Sequence, residues 1–271
     1  MLYLCATPIG NLKDITLRVL ETLESADYIA AEDTRRTRSL LTHFGIKQRI
    51  VSFHDANELK VLAKLLVDLK AGKTIAQVSD AGLPGIADPG HRLVTACIDA
   101  GLPFEILPGP SASLTAAVLS GLPTDDIRFL GYLPRKAGPR KRLLEELIEA
   151  GSTLIFYETP HRLIDALTDI AKIFGERRVF IGRELTKKFE EHLRGSADEL
   201  LEKLKEREIK GELVIAIGGM REPSPAPTPE KLMKEIHSEI AAGLSKSEAI
   251  KSVATRHKMA KRFVYDLAHK K

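Results

Sequence analysis

The stretch Val78-Ser-Asp-Ala-Gly-Leu-Pro-Gly-Ile-Ala-Asp-Pro-Gly90 decides how the rest of the chain is interpreted. The apolar run over residues 74–78 predicts a short buried strand. Five glycines and prolines follow within residues 82–90, and neither a strand nor a helix continues through such a segment. An ordinary surface loop is the alternative, but one rarely needs thirteen residues of this composition. Because ligands of α/β sheets bind outside the carboxyl ends of strands, this loop is a candidate binding site.

The composition is that of a globular protein with a substantial core. The chain has 271 residues, of which 44% are hydrophobic and 29% are charged. No apolar run reaches the length of a membrane span, and the N-terminus lacks the basic segment of a secretion signal. The two cysteines, Cys5 and Cys97, give neither a disulfide framework nor a zinc site. We therefore expect a cytoplasmic protein that binds no metal and no membrane.

The net charge of +4 is distributed unevenly. Residues 231–271 hold ten Lys or Arg and four Asp or Glu, which gives this tail a charge of +6. A basic segment of this kind indicates contact with nucleic acid. A proline-rich linker over residues 222–229 precedes the tail. The tail itself reads as helices only, and helices over 246–255 and 259–269 resemble a helix-turn-helix pair.

Strands and helices alternate through the first half of the chain, which predicts an α/β fold with parallel strands. The rhythm changes near residues 121–126, which we take as a domain boundary. We expect an N-terminal α/β domain over residues 1–122, a second α/β domain over 123–221 and a small helical domain over 230–271. The predicted strands are residues 2–6, 27–31, 50–53, 74–78 and 104–107 in the first half, and 153–157, 178–181 and 212–217 in the second.

Two clusters of charge admit a structural and a functional interpretation. Residues 31–38, Ala-Glu-Asp-Thr-Arg-Arg-Thr-Arg, are either a helix start capped by Asp33 or Thr34 or the rim of a site. Residues 128–142 contain six Lys or Arg and no acid, and are either a solvated connection or a mobile clamp for phosphates. We favour the clamp, since glycine and proline at its centre argue against a rigid helix. Its predicted phosphate contacts are Arg135, Lys136 and Arg140.

Six stretches of the sequence resemble the tetrapyrrole-methylase superfamily of S-adenosylmethionine-dependent methyltransferases. They are residues 6–12, 31–35, 78–90, 108–113, 157–162 and 183–187. The resemblance covers essentially the whole chain, including the tail. The glycine/proline loops are common to the superfamily. The stretches Glu-Asp-Thr-Arg at 32–35 and Glu-Thr-Pro-His-Arg at 158–162 are much narrower, and are typical of its ribosomal RNA methyltransferases.

The resemblance implies two α/β domains of the tetrapyrrole-methylase type that enclose the cofactor S-adenosyl-L-methionine. It implies a homodimer that methylates the ribose 2′-oxygen of a decoding-centre cytidine, cytidine 1402 of 16S ribosomal RNA, in the small ribosomal subunit. It also implies a set of cofactor contacts, of which the last two are expected through the backbone. They are Pro8, Val78, Ser79, Asp80, Leu83, Ser111, Ala112, Glu158 and Leu185.

Methylation of a hydroxyl needs a group that takes its proton. The strand-end loops supply three candidates, Asp33, Glu158 and Lys188. Guanidinium and ammonium groups suit the phosphates around a target nucleotide, which has to turn out of its stack to reach a pocket. In addition to the clamp, the candidate RNA contacts are Arg35, Arg36 and Arg162 in the body, and Lys251, Lys258, Lys261 and Arg262 in the tail.

Two other functions remain open at this point. A corrin or porphyrinogen methylase would share the fold, but a small macrocycle has no need of a basic tail. A helix-turn-helix nucleic-acid binder whose α/β body senses a metabolite would bind the cofactor without transferring its methyl group.

Overall fold

Two five-stranded sheets and a separate group of helices form the part of the chain that the computed structural model describes, which is residues 1–220, 228–241, 243–257 and 259–269. Residues 1–220 make one compact unit, and the residues from 221 onward make a second. Most of the predicted proline-rich linker, residues 222–227, lies outside the described residues.

The first sheet is entirely parallel, as the sequence predicts. Its strands are β1 (Leu2–Cys5), β2 (Tyr28–Ala31), β3 (Ile50–Ser52), β4 (Ile75–Val78) and β5 (Phe104–Leu107), in the spatial order β3-β2-β4-β1-β5. The helices of this half are α1 (Leu17–Ser25), α2 (Thr34–His43), α3 (Glu58–Lys70), α4 (His91–Asp99) and α5 (Ala112–Ser120). The carboxyl ends of β1, β4 and β5 are neighbours, which brings the loops after them together.

Both faces of this sheet are covered, which explains why its strands are continuous apolar runs. Successive side chains of a strand point to opposite faces. Leu4 of β1 therefore packs in one cluster with Leu65 of α3 and Leu93 of α4. On the opposite face, Ile29 of β2 packs in a cluster with Leu23 of α1.

The second sheet is mixed. Its strands are β6 (Ile127–Tyr132), β7 (Thr153–Glu158), β8 (Val179–Arg183), β9 (Glu191–Gly195) and β10 (Leu213–Ile217), in the order β6-β7-β10-β8-β9. Only the pair β6–β7 is parallel among these strands. The helices α6 (Ala137–Glu146), α7 (Pro160–Phe174) and α8 (Ala197–Leu204) pack on one face. The mixed α/β class predicted from the sequence is confirmed.

Helix α5 packs on the other face of the second sheet and joins the two halves. Its buried Ala116 and Ala117 share a cluster with Ile155 of β7, Phe180 of β8 and Ala216 of β10. Alanine side chains on this helix let its backbone approach the sheet closely. The two sheets are thereby held against each other through one short helix.

The predicted mobile clamp is wrong in its conformation, because most of residues 128–142 lies in regular structure. Strand β6 takes up its first part and helix α6 its last. Gly138 and Pro139 lie in the first turn of α6, where backbone N–H groups have no partner within the helix. A proline there removes no hydrogen bond, so the helix tolerates it.

Arg140 is buried in an ion pair and is wrong as a phosphate contact. Its side chain is 4% exposed, and that of Asp169 on α7 is 6% exposed. The guanidinium donates from Nε and Nη2 to Asp169 Oδ2, at 2.8 and 2.7 Å. Arg140 therefore anchors α6 to α7.

The C-terminal unit consists of helices in its described part, as predicted. They are α9 (Pro229–Ala241), α10 (Lys246–Arg256) and α11 (Lys261–His269). These helices share a small core that includes Leu232, Ile250 and Val264. Ser245 and Glu248 form a capping box at the start of α10. Across the described ranges, no helix has the length and apolar content needed to cross a membrane.

The buried pair predicts a large stability loss when one partner is removed. In Arg140→Met, Asp169 keeps only Lys141, whose Nζ lies 3.7 Å from Oδ1. We expect the free energy of unfolding to fall by about 3 kcal/mol, measured by urea denaturation. Lys141→Met is the matched control, because that side chain is 46% exposed, and should cost below about 1 kcal/mol. Equal midpoints for the two variants would refute a structural role for the pair.

Candidate active site

A cavity of about 730 Å³ lies at the carboxyl edge of the first sheet and is closed on one side by the second sheet. Loops after β4 and β5 form one wall, and residues of β6, β7 and the start of β10 form the other. The lining includes Glu32, Asp80, Leu83, Asp88, Ser111, Ala112, Ser113, Tyr132, Tyr157, Glu158, Leu185 and Glu212. A volume of this size suits a ligand of drug or cofactor dimensions.

The loop over residues 79–90 is held in a single conformation by a buried glutamine. Gln77, in β4, is fully buried, and its Nε2 donates to the carbonyl of Pro89 at 3.0 Å. Gly90 has φ +138°, and a Cβ there would lie 2.9 Å from Gln77 Oε1. Only glycine fits at this approach, so the glutamine and Gly90 together close the base of the loop.

The tip of the same loop is fixed by a short β-bridge. Thr7 and Gly82 exchange backbone hydrogen bonds of 2.9 and 3.0 Å. Gly82 has φ +79°, a conformation that other residues rarely adopt. The loops after β1 and β4 therefore form one rigid wall of the cavity.

The loop after β5 packs closely on the loop after β1 and leads into helix α5, whose first residues line the cavity. A Cβ on Gly109 would lie 2.8 Å from the Cβ of Ala6, so this position also needs glycine. Ser111 caps α5 by accepting a hydrogen bond from Leu114 N–H at 3.4 Å. Ser111, Ala112 and Ser113 line the cavity at this helix start.

A strained turn after β8 places Leu185 in the cavity wall. Its two neighbours, Glu184 and Thr186, have φ values of +50° and +66°. The β-branched Thr186 is a marked outlier, and such strain persists only where the surroundings enforce it. Here Thr186 Oγ1 accepts a hydrogen bond from Asn11 N–H at 3.0 Å, and a Cβ on Gly10 would lie 2.8 Å from the Leu185 carbonyl oxygen.

Three carboxylates gather on the wall made by the first sheet. Glu32 Oε2 accepts a hydrogen bond from the backbone N–H of Asp80 at 3.2 Å. Burial raises the pKa of Glu32. Burial, reinforced by the charge of Glu32, raises the pKa of Asp88 to about 7. Arg36 Nη1 lies 3.5 Å from Asp80 Oδ2 at the rim and provides positive charge there.

Aromatic rings form the facing wall. The Tyr157 ring contacts Phe129 and Tyr132, with centroid separations of 4.9 and 5.6 Å. Burial is the main cause that raises the pKa of both tyrosines, and the charge of Asp88 raises them further. Tyr132 is 53% exposed, so this wall extends to the mouth of the cavity.

Glu158 is buried in the wall with half of its carboxylate unpaired. Its Oε1 accepts from Thr159 N–H at 2.7 Å and lies 3.2 Å from Arg162 Nε. Its Oε2 is buried and has no hydrogen-bond partner among the described residues. Burial raises the pKa of Glu158, while the Thr159 N–H and the Arg162 charge oppose that rise. Glu158 is therefore a cavity-lining residue whose carboxylate is only half satisfied by the described residues.

The structure brings most of the predicted cofactor residues together. The six that line the cavity are Asp80, Leu83, Ser111, Ala112, Glu158 and Leu185. The other three, Pro8, Val78 and Ser79, are buried and are not among the lining residues.

Two of the three predicted proton acceptors lie outside the cavity lining. Asp33 caps α2, and the Arg35 guanidinium that hydrogen-bonds to it lowers its pKa strongly. Lys188 is exposed, with its Nζ 5.7 Å from the centroid of the Phe189 ring. Glu158 is the predicted acceptor that lines the cavity.

The predicted RNA contacts are distributed over the surface. Arg36 lines the cavity. Arg162 is 20% exposed, pairs with Glu158 and donates to the Leu133 carbonyl. The exposed members are Arg35, Arg135 and Lys136 in the body, and Lys251, Lys261 and Arg262 in the C-terminal unit. Lys258 lies outside the described residues.

Sequence analysis missed Asp88, Glu32 and the two tyrosines as site residues. The first two stand inside stretches that it had singled out, so an acid within a glycine/proline loop was an available signal. Tyr157 also opens such a stretch, residues 157–162, whereas Tyr132 ends a strand, β6, that was not predicted.

The family model of tetrapyrrole (corrin/porphyrin) methylases matches residues 1–201. The "Ribosomal RNA small subunit methyltransferase I" of Halalkalibacterium halodurans is 46% identical over 99% of this chain and 94% of that protein. The protein of that name from Synechocystis is 44% identical over 99% of this chain and 97% of its own. The solved structure of a uroporphyrin-III C-methyltransferase from Thermus thermophilus, complexed with S-adenyl homocysteine, superposes with a TM-score of 0.57. That match covers 80% of this chain and 96% of the other at 16% identity, which shows a shared fold.

The raised pKa of Asp88 predicts a pH-dependent stability difference. Its value of about 7 in the folded protein lies above its ordinary value of 3.8, so the folded state binds the proton more tightly. Stability is therefore lost as the pH rises from about 4 through 7. Asparagine does not ionise, so Asp88→Asn should match the parent in Tm at pH 4 and exceed it by a few degrees at pH 8. A difference of the same size at both pH values, measured by calorimetry, would contradict this.

Proposed function

The chain belongs to the tetrapyrrole (corrin/porphyrin) methylase family, and on that premise we propose that it methylates the 16S ribosomal RNA of the small ribosomal subunit with S-adenosyl-L-methionine. The observation that supports this substrate is the length over which the relatives align with this chain. Proteins named as ribosomal RNA small subunit methyltransferases align over 99% of this chain, basic tail included, at 44–46% identity.

The residues of the cavity fit S-adenosyl-L-methionine. The methyl donor is a nucleoside with a cationic sulfonium, and Glu32, Asp80 and Asp88 place negative charge on the wall. Gly109 lets the loop after β5 pack closely on Ala6, so that this loop and the start of α5 form a continuous part of the cavity wall. When bound, the cofactor supplies an electrophilic methyl group.

We assign the ribose 2′-oxygen of the decoding-centre cytidine as the methyl acceptor. The resemblance to the ribosomal RNA branch of the superfamily supplies the nucleotide and the position. Two features of the cavity support a nucleoside hydroxyl as substrate. Nucleobases stack on aromatic rings such as Tyr132 and Tyr157. A hydroxyl must lose its proton on methylation, and the opposite wall carries carboxylates that can receive it.

The cations around the cavity mouth are proposed to hold the flanking phosphates. Arg36 lies on the lining, and the side chain of Arg35 is 89% exposed one residue earlier. Arg135 and Lys136 are exposed between β6 and α6. Arg162 would act indirectly, because it is occupied by Glu158.

Three further parts of the proposal rest on the resemblance. We propose that the enzyme is a homodimer and that it acts in the cytoplasm. We also propose that the halves around each sheet, residues 1–122 and 123–221, are the two methylase domains and enclose the cofactor between them. The helical residues 230–271 would then be a third, RNA-binding domain.

Mapping the product tests the proposed reaction. Small ribosomal subunits are incubated with the protein and methyl-labelled S-adenosyl-L-methionine, and the ribosomal RNA is then cleaved with alkali. A 2′-O-methyl group blocks cleavage at one phosphodiester, so we expect one protected position, at a cytidine, that carries the label. Label on a base with full alkali lability would refute the ribose assignment. Cofactor binding without transfer would favour a metabolite-sensing binder.

A cavity-filling variant provides the control. Ala112 is the first residue of α5 and lines the cavity, so Ala112→Phe should abolish binding of S-adenosylhomocysteine in calorimetry together with methylation. Ala137 is the first residue of α6 and is exposed, so Ala137→Phe should behave as the parent protein. Circular dichroism confirms that both variants are folded.

The tail predicts a salt-dependent contact with RNA. Replacing Lys251, Lys261 and Arg262 with glutamine removes three exposed charges, so subunit binding should weaken and its logarithmic salt dependence should flatten by about three. Replacing three exposed lysines of α3, Lys60, Lys64 and Lys70, is the control with equal charge change. Filter binding measures how the affinity for subunits depends on salt in both triple variants. An identical dependence in the two would show that the tail does not bind RNA.

A further inference from the structure

Asp88 is one of the carboxylates on the cavity wall, and the reaction proposed above does not say which of them receives the substrate proton. It belongs to the loop that follows β4, three residues after Gly85 and directly before Pro89. The preceding residue, Ala87, has φ +62°, which residues other than glycine seldom adopt. Such strain persists only where the surroundings enforce it, and it lies one residue before Asp88.

The groups that face Asp88 come from every element around it. Glu32, Asp55 and Asp80 follow the neighbouring strands β2, β3 and β4, and their negative charges oppose its ionisation. The Ser79 hydroxyl favours the ionised form. Tyr132 and Tyr157 face it from the second sheet, close enough for its charge to affect both hydroxyls. Arg36 lies on the same lining.

Asp88 compares favourably with the other candidate proton acceptors. Asp33 and Lys188 are absent from the cavity lining, and Asp33 is paired with Arg35. Glu158 lines the cavity, but its Oε1 is already engaged by Thr159 N–H and Arg162, and its Oε2 is inaccessible. No Lys or Arg of the described residues forms an ion pair with Asp88, which leaves its carboxylate available to a substrate proton.

Glu158, on the facing wall of the cavity, has a carboxylate oxygen, Oε2, without a hydrogen-bond donor among the described residues. The residue is 2% exposed, and the oxygen is buried on the same lining as Asp88. A buried carboxylate oxygen is rarely left without a donor, and burial also raises the pKa of Glu158, so this wall carries a second carboxyl in an unusual environment. Asp88 and Glu158 stand on walls from different sheets, with the cavity between them.

We propose that Asp88 is the general base that takes the proton of the substrate hydroxyl, an inference that rests on the proposed function. The ribose 2′-oxygen forms a bond to the methyl carbon as the methyl–sulfur bond breaks, and the electron pair of that bond stays on sulfur. The hydroxyl proton passes to an Asp88 carboxylate oxygen and then to solvent. The sulfonium becomes a neutral thioether, and Asp88 returns to its ionised form.

The titration of Asp88 supports this role. Burial and the neighbouring acids raise its pKa to about 7. A base works best when its pKa lies near the working pH. A cationic methyl donor in the same cavity favours the ionised carboxylate, so the base is charged when both substrates are present.

The test compares Asp88→Asn with the parent enzyme in single-turnover methylation of small ribosomal subunits, between pH 5.5 and 9 in steps of about half a unit. We expect the variant to be slower by about 10²-fold or more, with S-adenosylhomocysteine affinity within about threefold of the parent. The parent rate should rise with pH to a plateau, and the residual rate of the variant should lack that plateau. Asp88→Glu, which keeps the carboxylate, should recover part of the rate.

Asp33→Asn and Glu158→Gln complete the comparison. Asp33→Asn should leave the plateau in place. If Asp88→Asn loses cofactor affinity in proportion to its rate, Asp88 is a cofactor contact and the inference fails. A rate within threefold of the parent, or loss of the plateau in Glu158→Gln instead, also overturns it. Failure of the proposed function is distinguishable, because the parent enzyme itself would then give no alkali-resistant ribose.

Discussion

The packing of α5 against the second sheet sets the dimensions of the cavity. The helix starts at Ser111 on the cavity wall and buries Ala116 and Ala117 against β7, β8 and β10. Because both alanines are almost completely inaccessible, their small side chains determine how closely the two sheets approach. The loops after β1, β4 and β5 are fixed to one sheet, and the aromatic wall belongs to the other. Together with the contact of Gly10 and Asn11 with the turn after β8, this packing positions one wall of the cavity against the other.

The two walls differ in their chemistry, and the difference costs stability. Carboxylates on the first wall repel one another, while rings and a buried glutamate occupy the second. Proteins usually keep such a local conflict only at functional sites. The strained backbone at Ala87, Glu184 and Thr186 also occurs at the site. The residues beside these positions, Asp88 and Leu185, line the cavity.

Features that depend on neighbouring residues of the chain could be predicted from the sequence. Features that depend on residues distant in the sequence could not. The strands of the first sheet are buried on both faces, so their apolar runs identified them. Strand β9, with the sequence Glu-His-Leu-Arg-Gly, is a polar edge strand and carries no such run. Helix α6 begins with glycine and proline, and the pattern favoured a loop. Arg140 looked like a surface cation because its partner, Asp169, is 29 residues away.

The same limit applies to the site. The glycine/proline loops predicted where a ligand binds, because those residues reveal backbone requirements directly. Asp88 belongs to one of these loops, but nothing in its sequence neighbourhood identified it as a site residue. The groups that surround it follow β2 and β3 or belong to the second sheet. Asp33 is the opposite case, because capping is local, and its role as a helix cap follows from a short sequence pattern.

The position of β1 has a consequence for how the chain acquires its structure. This strand lies between β4 and β5 and pairs Leu2 with both Ile75 and Phe104. During synthesis, strand β1 therefore waits until about residue 107 has emerged before both of its edges are covered. Sheets with such distant partners fold slowly. Until then the apolar segment Leu-Tyr-Leu-Cys stays uncovered, which is the kind of exposed strand edge that makes an unfinished chain prone to aggregate.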